Sequence, residues 1–160
     1  MPRAKLLQGQ QGSILLELLS LVAVLLLSGS FIFLQGDALW QHYYKQQVRL
    51  MGQLLAGDLR QLQSQTLFKT DTVNRDVRPN STSNGYYFTE NGVVLKKQLF
   101  TDYHCADVYF ESKIAKLFFG VNGAPSTNGY YKLRHKKLSG FAYRIDVQPI
   151  TGRVLAYDVQ

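Results

Sequence analysis

The sequence predicts an α+β protein, in which one long N-terminal helix packs on an antiparallel β-sheet. Apolar residues recur at helical spacing as far as about residue 65. From Gly85 onward, short runs rich in Tyr, Phe, Val and Ile alternate with turn residues, a pattern that is typical of antiparallel strands. Aromatic residues make up 12% of the 160-residue chain, which suits a β-rich domain.

Residues 13–36 are almost entirely apolar, and no charged residue lies between Glu17 and Asp37. A run of about 20 such residues is long enough to cross a bilayer as a helix, which satisfies its own backbone polar groups. Arg3 and Lys5 precede the run, and basic residues next to a membrane segment tend to stay in the cytoplasm. We therefore expect a transmembrane first half of the helix, with the C-terminal domain outside the cytoplasm.

Glu17 is unusual in this segment, because an ionisable side chain near hydrocarbon is costly and usually has a partner. A cleaved signal peptide would need a shorter apolar run followed by a small-x-small site. Residues 28–30 (Ser-Gly-Ser) are embedded in the run and fit such a site poorly. A plain membrane anchor accounts for the length but leaves Glu17 unexplained. The remaining interpretation is a leader that is cut between Gly12 and Ser13.

Gly12, Ser13 and Glu17 resemble the processing site of type IV prepilins and type II secretion pseudopilins. In that family a short basic leader ends in Gly, prepilin peptidase cuts after it, and the new N-terminus is methylated. A Glu stands at the fifth mature position, and Glu17 is the fifth residue counted from Ser13. The resemblance implies that residues 1–12 are a leader and that Gly12 and Ser13 are the cleavage and methylation sites.

The resemblance also implies that Glu17 acts in assembly, by meeting the N-terminal amine of a neighbouring pilin inside a filament core formed by residues 13–36. The alternative is a carboxylate at the membrane interface that is stabilised by the helix dipole. Two features depart from the family pattern. Ser13 replaces the apolar residue that is common at the first mature position. The proline that many major pilins carry later in this helix is absent, which leaves open whether this helix melts or kinks in a filament.

The helix is predicted to continue as an amphipathic segment through residues 37–66. Its apolar residues recur every three or four positions and form one stripe on which a sheet would pack. The stripe consists of Trp40, Tyr44, Val48, Met51, Leu55, Leu59 and Leu62. Gly52 and Gly57 weaken this helix modestly.

Residues 67–160 are predicted to form a β-rich globular domain. Pro79 and a cluster of Asn, Ser and Thr predict a loop over residues 69–84. Asn91-Gly92 predicts a hairpin turn between two strands. The strand predictions are Tyr86–Thr89, Val93–Leu95, one or two strands within 107–120, Tyr130–Arg134, Phe141–Val147 with odd-numbered residues on one face, and Val154–Val159.

The net charge of +7 permits an anionic partner but does not demand one. One basic run could contact nucleic acid, with Tyr130 and Tyr131 nearby for base stacking. The run contains Lys132, Arg134, His135, Lys136 and Lys137. The alternative is a solvated strand end, since charge runs of this size are common on protein surfaces.

The sequence offers little for catalysis. Cys105 is the single cysteine, and with His104 it lies between Asp102 and Asp107. No second cysteine and no paired-histidine motif accompanies this group, so we expect no metal, no cofactor and no enzymatic activity.

The sequence thus predicts a minor pilin or pseudopilin that helps to initiate or build a type IV pilus or related filament. Its predicted location is the bacterial cytoplasmic membrane, as a single-pass protein, and then the pilus or pseudopilus. Its predicted partners are prepilin peptidase, other pilins and the membrane. Residues 129–134 and 141–147 resemble minor pilins of the J/W class, which help to form an initiating tip complex. The alternatives are a DNA-binding minor pilin of a competence pilus, a type II secretion pseudopilin, or a membrane-anchored binding protein that forms no filament.

Overall fold

A computed structural model describes the backbone of residues 3–68 and 73–159, and within them the side chains of residues 3–13, 31, 32, 34 and 35 are not described. The chain divides into two compact units, residues 1–40 and 41–160. Helix α1, Arg3–Phe68, supplies the described structure of the first unit and continues into the second. It begins at Arg3 rather than near Ser13, so the described residues of the predicted leader are helical too.

The prediction of a transmembrane first half is wrong. None of the helices in the described part of the chain is long and apolar enough to cross a membrane.

The prediction of one antiparallel sheet is also wrong, because the described strands form two four-stranded antiparallel sheets. The first sheet has the order β3-β2-β1-β5, and the second has the order β4-β6-β7-β8. The strands are β1 (Arg75–Pro79), β2 (Gly85–Glu90), β3 (Val93–Leu99), β4 (Val108–Ser112), β5 (Leu117–Phe118), β6 (Gly129–His135), β7 (Ala142–Val147) and β8 (Val154–Val159).

The split into two sheets begins after β3. A short 3-10 helix, Phe100–Tyr103, follows β3 and ends at His104, whose φ of 57° is left-handed. The chain is redirected there, so β4 pairs with β6 in the second sheet instead of extending the first. β5 then returns to pair with β1. Strand propensity carries no information about this exchange, which is why the sequence predicts a single sheet.

The predicted hairpin is confirmed. β2 and β3 pair antiparallel, with Glu90 opposite Val93. The two loop residues Asn91 and Gly92 have φ values of 49° and 84°. Such left-handed values are those that a two-residue hairpin loop requires, and Asn-Gly adopts them readily.

The predicted loop over residues 69–84 is wrong in part, because Arg75–Pro79 forms β1. β1 lies between β2 and β5, and its apolar residue Val77 is fully buried. Pro79 ends the strand, where a missing backbone N–H is tolerated. Residues 69–72 of the predicted loop lie outside the described residues.

The amphipathic stripe is confirmed for its C-terminal part. Five of its residues are buried in the core, namely Val48, Met51, Leu55, Leu59 and Leu62. Tyr44 is partly buried and packs against the same core, whereas Trp40 is exposed. The core also includes Tyr86 from the first sheet and Ile145 from the second, so one hydrophobic cluster joins this part of α1 to both sheets.

Polar side chains on the flanks of the stripe bind α1 to each sheet. Asp58 accepts a 2.7 Å hydrogen bond from the hydroxyl of Tyr86 on β2. Arg49 donates from Nε to Asp158 on β8 at 3.1 Å, and its Nη2 pairs with the same carboxylate. Gln63 donates to the carbonyl oxygens of two loop residues, each at 3.0 Å. These contacts determine how this part of α1 is rotated about its own axis relative to the sheets.

Gly52 allows α1 to approach the second sheet closely. A Cβ atom at this position would lie 2.0 Å from Cδ1 of Tyr143 on β7, which is far inside van der Waals contact. Around Gly57, one turn further on, a Cβ would meet nothing within 4 Å. The first glycine is therefore needed for packing, although the sequence identified both only as weak points of the helix.

We expect Gly52→Ala to lower the free energy of unfolding of a fragment spanning residues 41–160 by about 1–3 kcal/mol, because the new methyl group overpacks the helix–sheet contact. Gly57→Ala should leave it unchanged or raise it by about 0.5–1 kcal/mol, because alanine favours a helix. Urea denaturation followed by circular dichroism measures both. Equal effects of the two substitutions on the free energy of unfolding would contradict the close approach of α1 to Tyr143.

Candidate assembly site and the basic run

The first unit exposes a large apolar surface on α1. Eleven large aliphatic side chains between residues 14 and 27 are 44–72% exposed. They are Ile14, Leu15, Leu16, Leu18, Leu19, Leu21, Val22, Val24, Leu25, Leu26 and Leu27. Since four consecutive residues, 24–27, span a full helical turn, the apolar surface surrounds the helix. Contiguous apolar surface of this kind marks a contact with another molecule.

The polar groups within this surface differ in whether they are free to bind another molecule. The hydroxyls of Ser20, Ser28 and Ser30 donate to carbonyl oxygens three or four residues earlier in the helix. Glu17 is the single charged residue between positions 14 and 30, and it is exposed. Its carboxylate is therefore the group in this stretch that can specify an ionic contact.

The predicted cleavage site lies within α1, which contains the backbone of Gly12 and Ser13. The side chain of Ser13 lies outside the described residues. Ser13 and Glu17 are four residues apart in a helix, so the backbone nitrogen of residue 13 lies about one turn before Glu17.

The first half of the basic run is paired with a carboxylate. Nζ of Lys132 lies 2.8 Å from Oε2 of Glu111, and Nε of Arg134 lies 3.1 Å from the same oxygen. The antiparallel pairing of β4 with β6 places Ser112 opposite Lys132 and so brings Glu111 beside the two cations.

The second half of the run is paired as well. Nζ of Lys137 lies 3.4 Å from Oδ2 of Asp107, and Nζ of Lys136 lies 3.9 Å from Oδ1. Glu111 and Asp107 therefore offset part of the positive charge that the sequence shows in this run. The sequence contains a signal for this pairing, since both acids lie on or next to a strand that can pair with β6.

The aromatic groups beside the run offer limited surface for base stacking. Tyr131 is fully buried. Tyr130 is 37% exposed, but the guanidinium carbon of Arg144 lies 4.0 Å from its ring centroid and covers one face. Nucleic-acid contact by Lys132, Arg134, His135, Lys136 and Lys137 stays a prediction, and the arrangement of these side chains gives it no support.

His135 is a packing residue in this structure. It is 2% exposed, and its ring stacks on that of Tyr44 of α1 with centroids 4.3 Å apart. The backbone N–H of Lys137 donates to its Nδ1 at 3.1 Å, which requires an unprotonated Nδ1. Burial lowers the pKa of His135; Asp107 acts in the opposite direction, and Lys137 and Lys136 lower it further.

His104 and Cys105 form no reactive pair. The thiol of Cys105 is buried and donates to the carbonyl oxygen of Tyr103 at 3.2 Å, and burial raises the pKa of the thiol. His104 is exposed. Among the residues that the structure describes, no three His, Cys, Asp or Glu side chains are grouped so that they could hold a metal ion.

Comparison of the chain with family models, with curated proteins and with solved structures finds no match. Support for the candidate assembly site therefore comes from the residues of this chain alone.

We expect the fragment 41–160 to leave single- and double-stranded oligonucleotides unretarded at about 0.15 M salt, because the carboxylates offset the basic run. The double variant Asp107→Asn, Glu111→Gln should bind more tightly, because it releases four cations from their pairs. Gel retardation over a salt series measures both. Wild-type binding as strong as that of the variant would show that the two carboxylates do not weaken nucleic-acid binding.

The stability of the fragment should fall as the pH drops through the ordinary pKa of histidine, about 6.5. Since burial lowers the pKa of folded His135, the unfolded chain takes up the proton more readily, and the stabilisation present above that pH is lost below it. Urea midpoints at about pH 8 and about pH 5.5 measure the loss. His135→Asn keeps a hydrogen-bond acceptor but does not titrate, so this variant should lose less stability between the two pH values than the wild type. Equal losses of stability would show that His135 is not responsible.

Proposed function

We propose that this protein is a minor pilin or pseudopilin subunit that helps to initiate or build a type IV pilus or related filament. In this proposal prepilin peptidase cleaves after Gly12, and Ser13 becomes the methylated N-terminus. The cytoplasmic membrane of a bacterium is the proposed location before assembly. The observation that carries the proposal is the apolar helix surface of residues 14–27, which contains a single carboxylate, Glu17, at the fifth position after the cleavage site.

The energetics favour burial of this surface between subunits. Full burial of one exposed leucine or valine side chain contributes about 1.5–3 kcal/mol. Eleven aliphatic side chains of this size are exposed, so even partial burial outweighs the several kcal/mol that burial of one carboxylate costs. A cation paired with Glu17 would then determine which of the many possible apolar arrangements of two subunits forms.

The partner cation that we propose for Glu17 is the N-terminal amine of Ser13 in a neighbouring subunit. Apolar contacts along a helix are nearly equivalent after a shift of three or four residues, so they set the axial position of two helices weakly. One buried ion pair sets it strongly, because any other position leaves a buried charge without a partner. Glu17 would therefore determine the axial register and the specificity of the contact between subunits more than its affinity.

Co-expression of the full chain with a prepilin peptidase and intact-mass spectrometry test the processing step. We expect a mature chain that begins at Ser13 and carries one methyl group. A Gly12→Val variant should stay unprocessed. An N-terminus elsewhere in the wild-type protein would overturn the proposal.

Incorporation into sheared filaments tests the role of Glu17. Glu17→Gln keeps the shape of the side chain and removes its charge, so we expect normal processing and about 10-fold or greater loss of incorporation, corresponding to at least 1.4 kcal/mol. Ser20→Ala, one turn away, removes only a hydroxyl that bonds its own helix and should assemble normally. Normal incorporation of Glu17→Gln would remove Glu17 from the assembly contact.

A further inference from the structure

The outer edge of the first sheet runs along β3. β3 ends the strand order β3-β2-β1-β5, and among the described strands it pairs with β2 alone. Its outward N–H and C=O groups can therefore pair with a strand of another molecule. The opposite edge is β5, whose two residues are too few to offer a comparable row of groups.

Three consecutive aliphatic side chains on this edge are exposed. Val93 is 65% exposed, Val94 54% and Leu95 62%. Successive side chains of a strand point to opposite faces, so this segment presents apolar surface on both sides of the sheet edge. Edge strands that remain unpaired are usually short or carry charge or proline at such positions.

Lys96 and Lys97 follow this segment, and lysine on an edge strand can prevent pairing. Here both side chains contact neighbouring residues of the same domain, although both remain exposed. Nζ of Lys96 lies 3.8 Å from Asp58 of α1, and Nζ of Lys97 lies 5.9 Å from the ring centroid of Tyr87. Leu95 has no partner residue in β2, so the strand also carries a bulge. Neither feature covers the exposed aliphatic side chains.

The accessible charge along β3 is positive. The strand contains Lys96 and Lys97 and no acidic residue, and Lys96 is 54% exposed. The nearest carboxylates are already engaged, since Asp58 accepts a hydrogen bond from a buried tyrosine and Glu90 pairs with an arginine 3.0 Å away. A strand with acidic side chains would complement this edge, whereas a second copy of β3 would bring four lysines together.

A cavity of about 280 Å³ opens beside the edge, between α1 and the first sheet. Its apolar part consists of Leu62, Phe88 and Leu95, and the rest of its lining, which includes Lys96, is polar or charged. The cavity is large enough for one aliphatic side chain of an added strand. Strand addition obtains affinity from main-chain hydrogen bonds and specificity from pockets for individual side chains.

We propose that β3 binds an extended segment of a partner protein in which aliphatic and acidic residues alternate. The segment adds to the first sheet as a fifth strand. Its aliphatic side chains cover Val93–Leu95 and enter the cavity, and its carboxylates meet Lys96 and Lys97. This surface is separate from the contact proposed for Glu17, and either proposal can fail without the other.

The test uses the full chain in detergent micelles and three capped, fluorescently labelled peptides: Val-Glu-Val-Glu-Val-Glu, its lysine counterpart, and a version with proline as the third residue. Fluorescence anisotropy measures the dissociation constants. We expect binding of the first peptide alone, because the lysine peptide meets like charge and proline removes a ladder hydrogen bond.

Lys97→Glu should weaken binding of the acidic peptide about 10-fold or more, equivalent to 1.4 kcal/mol, and create binding of the lysine peptide. Arg153→Glu changes the net charge equally at an exposed turn away from β3 and should alter binding less than about 2-fold. Leu95→Ser should weaken binding through loss of apolar contact.

Three results would overturn the proposal. The first is no binding of the acidic peptide by a chain that does not self-associate, which would identify the edge as protected. The second is equal binding of the proline peptide, or equal effects of Lys97→Glu and Arg153→Glu, which would indicate non-specific attraction. The third is self-association of the full chain that Val94→Lys abolishes while peptide binding stays absent, which would assign the edge to a second copy.

Discussion

The contact between Gly52 and the ring of Tyr143 is the constraint on which the packing of residues 41–160 depends. A helix that could not come so close to the second sheet would leave Val48, Met51 and Leu55 less deeply covered. The ionic contact from Arg49 to Asp158 and the hydrogen bond from Tyr86 to Asp58 lie on the two flanks of the same helix face. Apolar burial thus supplies the driving force, and one glycine with two polar contacts determines the geometry.

Sequence patterns identified the local structure of this protein better than its long-range pairing. The stripe from Val48 to Leu62, the Asn91-Gly92 turn and the alternation along β7 follow from periodicity and turn chemistry, which act between near neighbours. β1 was missed because its buried residue, Val77, lies among charged and polar residues, and tertiary contacts pair some of these. For example, Nζ of Lys116 lies 3.4 Å from Oδ2 of the buried Asp76.

Long-range pairing also limits what the sequence can predict about the candidate sites. Glu17 stands out in the sequence because it interrupts an apolar run. The basic run also stands out, but its charge is modified by Glu111 and Asp107, which the β4–β6 pairing brings beside it. The exposed edge of β3 could not be recognised in advance, because whether a strand lies at an edge depends on the order of strands in the sheet.

The order of the strands along the chain has a consequence for folding. The chain forms three strands of the first sheet, crosses to the second with β4, returns with β5 and leaves again with β6. Neither sheet can be completed before the other has begun, so the two should form in one cooperative transition rather than as separate modules. The closing pair, β1 with β5, also joins segments far apart in sequence, which makes folding slow compared with a helical bundle. A truncation between β4 and β5 would therefore leave both sheets incomplete, because each sheet contains strands from both sides of that cut.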